Sequence, residues 1–210
     1  MRPYVALDSS DLVSPEVRLY NYVKESSIVA IEDIIQLARD IHYKIPNTLD
    51  FLMSCNGYIL KNREYLIEEA ILNINVSDVK DMERLIEEEL EENNFCAAIR
   101  DLSCVAQFPR INVPWDEWLI YSVLRKYGSK LDLYTTAYQF RLSIPVISVK
   151  YHYVDEFDLQ NISKKHAGTI SNIMETKVDD LDNLDELIEE FIDIDDIDFD
   201  FDDFDFEEDV

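Results

Sequence analysis

Glycine is scarce: Gly57, Gly128 and Gly168 are the only three in 210 residues, where ordinary usage of roughly 7% gives about fifteen. Phosphate-cradling loops and dinucleotide folds need clustered glycines, because backbone N–H groups approach the ligand closely. These three are isolated, which argues against P-loop and Rossmann chemistry. Cysteine is also sparse. Cys55, Cys96 and Cys104 form no CxxC and leave an odd thiol, so they read as reduced core residues. His42, His152 and His166 stand far apart, with no HExxH, no GxSxG and no regular zinc spacing. No run reaches the length of a membrane-spanning helix, and the opening MRPYVALDSSDL lacks the basic-then-apolar layout of a signal peptide. The expectation is a cytoplasmic, non-enzymatic protein with no membrane partner. No catalytic residue, metal ligand or cofactor is assigned.

What the chain does contain is apolar residues and acid. Apolar residues make up 47%, enough for a globular core, and 45 Asp plus Glu face 19 Lys plus Arg, for a net charge of -26. That charge is segmented. Residues 14–67 hold seven acids and six bases. Residues 68–92 hold ten acids and two bases, residues 93–177 eight and ten, and residues 178–210 eighteen acids with no base. The pattern predicts four parts: a first domain at 14–67, an acidic connector helix at 68–92, a second mixed helix/strand module at 93–177 and an acidic tail at 178–210. The expected class is mainly α with small β hairpins (α+β).

Residues 14–67 carry the clearest local pattern. Ser14-Pro15-Glu16 starts a helix, with a cap candidate before proline at the first helical position. That helix ends near Ser26, and Ile28–Ala30 is a short extended run. Ile31, Ile34, Ile35, Ala38 and Ile41 then share one helical face. Ile45-Pro46 breaks this second helix, because the residue before proline avoids helical angles. Asn47 caps a third helix carrying Leu49, Leu52 and Met53, and Gly57 closes it. Tyr58–Leu60 and Glu64–Ile67 read as a hairpin around the basic tip Lys61-Asn62-Arg63.

In this element order the segment resembles a winged helix-turn-helix. The resemblance implies that the third helix enters the DNA major groove and that the hairpin wing lies on the backbone. Carried over by position, the DNA-facing candidates are Lys44, Asn47, Thr48 and Phe51 around the third helix, with Lys61, Asn62 and Arg63 at the wing. Asp50 sits on the same helix, and the unit's net charge of -1 offers few of the cationic contacts that non-specific duplex affinity requires.

Residues 77–92 predict an acidic helix with Met82, Leu85, Ile86 and Leu90 inward and the Glu87–Glu92 carboxylates in solvent. In the second module, Ala98, Leu102, Val105 and Ala106 predict a helix ending before Pro109. Trp115–Tyr127 is apolar nearly all round, which predicts a central core helix, with Trp115 and Trp118 as core anchors and Gly128 at its C′ position. A strand at 131–135, a helical turn at 137–142, a strand at 145–154 and a helix at 159–175 follow. This module reads as a second, degenerate winged helix. Its cations Arg125, Lys126, Lys130, Arg141, Lys150, Lys164 and Lys165 fit no periodic face and read as scattered solvated charges.

The tail divides in two. Leu181, Leu184, Ile188, Phe191 and Ile192 give 178–192 an amphipathic helical stripe. Residues 193–210, DIDDIDFDFDDFDFEEDV, hold too much charge for a packed core and are expected to be disordered. They include Phe199, Phe201, Phe204 and Phe206 as partner-docking candidates. A winged-helix body with such a tail resembles, in layout, the delta subunit of bacterial RNA polymerase, a family whose acidic tail displaces nucleic acid from polymerase. That resemblance implies a transcription-associated role. Two readings stand. One is a non-enzymatic DNA-binding or transcription-associated regulator. The other is a protein-interaction module or DNA mimic that binds a basic surface of a partner and does not contact DNA. The expected partners are DNA, or RNA polymerase or another protein with a basic groove.

Overall fold

The computed structural model describes residues 14–45, 47–92, 95–137, 140 and 143–166. All of these but His166 belong to one compact unit, residues 1–165. Arg141 and the whole acidic tail, with its four docking phenylalanines and its amphipathic stripe, lie outside the described residues.

The first half follows the sequence closely. Helix α1 (Pro15–Lys24) leads through strand β1 (Ile28–Ala30) directly into α2 (Ile31–Asp40). Helix α3 (Thr48–Ser54) is capped by Asn47, whose Oδ1 accepts the N–H groups of Leu49 and Asp50. Gly57 takes φ +84, a left-handed angle that glycine adopts without steric cost. It opens the hairpin of β2 (Tyr58–Lys61) and β3 (Tyr65–Glu68). Strand β1 adds to the outer side of β3, Val29 opposite Leu66, so the antiparallel sheet runs β1-β3-β2. Leu19, Val23, Ile34, Leu52, Leu60 and Leu66 bury their side chains beneath it.

Helix α4 (Val76–Glu92) carries Val79, Met82, Ile86 and Leu90 on its buried face. Beyond it the structure departs from the helix expected at 98–106. Cys96–Ala98 forms strand β4, and two short 3-10 turns follow, Ile99–Asp101 and Ser103–Gln107. The physical reasons are local. Pairing Ala97 with Ile147 holds the segment extended. The backbone at Leu102 is extended (φ -69, ψ 122), which separates the two turns. The Glu89 carboxylate takes the Ser103 and Cys104 N–H groups, which a continuous helix would have used internally.

Helix α5 (Glu117–Tyr127) is the central core helix, with every residue from Trp118 to Leu124 buried. Asp116 caps it by accepting the Trp118 and Leu119 N–H groups. Gly128 is extended (φ -76, ψ 160) rather than left-handed. Its requirement is space: a Cβ there would stand 2.6 Å from the Leu124 carbonyl and 3.0 Å from Glu83 Oε1. Strands β5 (Leu131–Thr135) and β6 (Pro145–Val149) follow, then helix α6 (Glu156–Lys165). Strand β6 stops five residues earlier than expected, because Tyr151 turns to φ +83. That releases the chain into a turn, and α6 begins three residues early.

The second sheet runs β4-β6-β5, so both sheets place the last strand of their half in the middle. α5 packs on β2 of the first half and on α4, and one continuous core runs from Leu19 to Ile147. The chain therefore combines helices with two small antiparallel sheets about a shared interior. No described helix is long and apolar enough to cross a membrane.

Candidate interaction surface

The basic hairpin tip is turned toward the second half. Asn62, at φ +46, donates its backbone N–H to Asp116 Oδ1 at 2.9 Å, while its own Oδ1 accepts the Glu64 N–H and tightens the turn. The Arg63 Nη2 donates to the Ser143 carbonyl at 2.5 Å, and the guanidinium carbon lies 5.9 Å from the centre of the Trp118 ring. Burial lowers the Arg63 pKa, and the nearby Glu117 carboxylate partly counters it. Glu117 is itself held by a two-pronged ion pair with Arg100, Nε to Oε2 at 2.6 Å and Nη2 to Oε1 at 2.5 Å. Asp116 has its pKa raised by burial, against three backbone N–H bonds and the charge of Lys61. The tip is thus a half-buried polar junction between the halves.

The third-helix candidates divide. Lys44 and Asn47 are exposed, and Asn47 is occupied as the α3 cap. Thr48 is half-buried. Phe51 packs its ring 5.3 Å from Tyr20. Asp50, on the same helix, pairs with Arg125 at the end of α5 at 3.2 Å. Lys61 is half-buried at the junction. The seven DNA-contact candidates therefore do not converge on one open cationic face.

The other cations of the second module are mostly spoken for. Lys126 pairs with Glu69, Lys130 with Glu87 at 3.7 Å, and Lys165 with Asp101 at 2.8 Å. Lys150 donates to the Ser129 carbonyl at 2.9 Å. The acidic face of α4 is not purely solvated either. Glu83 is buried and accepts the Ser129 and Lys130 N–H groups at 2.5 and 2.7 Å, anchoring the chain as it leaves α5. The sequence carried a signal for this: Glu83 lies three and seven residues from the inward Ile86 and Leu90. Among the described residues no group of three His, Cys, Asp or Glu is arranged to hold a metal ion. Burial lifts the Cys55 and Cys104 thiols to about 11 and about 12, so neither is a thiolate at neutral pH.

One exposed surface includes Tyr151 and Tyr153, where the sequence predicts a strand to Val154. Around the turn between β6 and α6, Phe95, Tyr151, Tyr153 and Phe157 present aromatic side chains to solvent. No family model matches the chain, and no curated protein or solved structure matches it.

Proposed function

We propose that this chain is a non-enzymatic protein-docking module that binds a basic surface of a partner protein and does not contact DNA. Each half is read as a winged-helix-like unit: the order helix, short strand, helix or turns, helix, hairpin recurs, and so does the strand order. The observation that carries the proposal is the Arg63–Ser143 hydrogen bond with its neighbour, Asn62 to Asp116. Together they commit the first hairpin tip, the part a winged helix lays on phosphate, to the second half. Helix α5, which stands where the first half has α3, is buried from Trp118 to Leu124. The net charge of -26 favours a cationic partner and opposes a polyanion.

The test is a fluorescence-anisotropy titration of labelled duplex DNA with the full chain across a salt series, beside a Lys61→Ala/Arg63→Ala variant. The proposal expects no affinity that falls linearly with log salt in either protein. Duplex binding by the native chain whose salt slope drops by about two in the variant would instead support the DNA-binding regulator.

A further inference from the structure

We propose that the aromatic turn between β6 and α6 is a docking surface for an arginine- or lysine-bearing segment of a partner protein. Tyr151 is 98% exposed, Tyr153 84% and Phe157 66%. Contiguous exposed aromatics of this kind mark interaction sites more often than isolated surface residues do. All three fall within seven residues of chain. The Phe95 and His152 rings lie 5.8 Å apart, and the Phe95 carbonyl accepts the Val149 N–H.

The backbone holds this display at a cost. Phe95 and Tyr151 take φ +65 and +83, angles that bulky side chains rarely adopt. They are the only Phe and Tyr at positive φ among the described residues. Strain of this kind at an exposed aromatic turn has no packing purpose for Tyr151, whose ring touches almost nothing.

The occupant follows from charge. Asp155, Glu156 and Asp158 lie in the same stretch of chain as Tyr151, Tyr153 and Phe157, and among the described residues none of the three forms an ion pair. Asp155 and Asp158 each spend one oxygen on the other's N–H, capping α6. Glu156 makes no such bond and, as the one charged residue among the described lining residues, lines a 360 Å³ recess with Thr135, Thr136 and Gln160. Lys150, the nearest cation in sequence, reaches away to Ser129. Aromatic faces bordered by carboxylates suit a guanidinium or ammonium, which stacks on a ring while pairing with a carboxylate. A second copy of this chain, a nucleic acid or an anionic lipid surface would each bring negative charge to a face already negative.

This inference rests on the protein-docking reading and narrows it to a face. The experiment titrates full-length chain with the capped peptide acetyl-Arg-Ala-Arg-amide, followed by ring-proton chemical shifts, at near-physiological salt to screen diffuse attraction. Its citrulline counterpart serves as the neutral control. Shifts are expected at Tyr151, Tyr153 and Phe157 with the arginine peptide and not with the control. A Tyr151→Ser/Tyr153→Ser/Phe157→Ser variant should bind about fivefold or more weakly, and Glu156→Gln about twofold. These side chains are exposed, so the variants keep the core, which the dispersion of the buried methyl signals checks. Equal affinity of native and triple-variant chains, or no ring shift at saturation, overturns the proposal. The duplex titration above is read separately. DNA binding through Lys61 and Arg63 sinks the docking reading, whereas an inert aromatic turn in a chain that ignores DNA sinks only this one.

Discussion

Arg63 and Ser143, eighty residues apart in sequence, are joined by a 2.5 Å hydrogen bond from the guanidinium to the backbone carbonyl. The bond ties the first hairpin to the segment that precedes β6, and it does so beside the buried Trp118 ring. A side chain that reads in isolation as a solvent-facing cation is here part of an internal seam.

Arg63→Ala should therefore cost stability, not only charge. A charged donor to a part-buried carbonyl is worth about 1.5–3 kcal/mol, and the loss of contact with Trp118 adds to it. Lys44→Ala, at an exposed position with no such contact, should stay within about 0.5 kcal/mol. Urea unfolding of both variants measures the difference. Equal costs would mean that the seam contributes nothing.

Asp116 separates capping from charge. Asp116→Ala removes the acceptor for the Trp118, Leu119 and Asn62 N–H groups and should cost about 1–2 kcal/mol. Asp116→Asn keeps an acceptor oxygen and lacks the buried charge. Because burial raises the folded-state pKa, the carboxyl's stabilising contribution is full below its unfolded pKa. It is lost as pH rises through the folded value. The asparagine variant should thus match or exceed the native chain at neutral pH and lose that advantage in acid. Thermal melts at pH 7 and pH 4 read this directly.

Glu89 has the opposite sign. Burial pushes its pKa up, yet the Ser103 and Cys104 N–H bonds outweigh burial and bring it below the usual glutamate value. Its contribution is present above the unfolded pKa and is lost as pH falls through the folded one. Glu89→Gln should destabilise at pH 7, on the order of 1 kcal/mol, and the gap to the native chain should close in acid. A gap that persists there would assign the effect to packing.

Gly128 and Glu83 are predicted to act together. A methyl at 128 would strike the Leu124 carbonyl and crowd the Glu83 carboxylate, so Gly128→Ala should cost about 1–3 kcal/mol. Gly57→Ala meets open space and is penalised only by its left-handed φ, about 1–2 kcal/mol. In a Glu83→Gln background the Gly128→Ala cost should change, whereas that of Gly57→Ala should not. A double-mutant cycle tests the coupling.

The first half was legible because its signals are local. Pro15 at a helix start, Asn47 as a cap, Gly57 before a hairpin and the Ile31–Ala38 stripe each act within a few residues. The buried circumference of α5 was legible for the same reason. The second half resisted where long-range pairing decides. Ala98–Ala106 has helical spacing, but β4 is extended by β6, fifty residues later. The Asn62–Asp116 and Arg63–Ser143 bonds were invisible because a basic Lys-Asn-Arg tip has the same composition whether it faces phosphate or a carbonyl of its own chain. Glu83 and the aromatic turn carried weak signals in spacing and composition, masked by the acidic run and by an assumed strand.

The most direct test of the central claim is amide hydrogen exchange at Asn62 in the full chain, with and without duplex DNA. Its N–H is bonded to the half-buried Asp116 carboxylate, so it should exchange as slowly as the flanking strand amides and keep its chemical shift when duplex is added. Exchange at the rate of an open loop, or a shift on DNA addition that Lys61→Ala/Arg63→Ala abolishes, would place the hairpin tip on phosphate and contradict the claim.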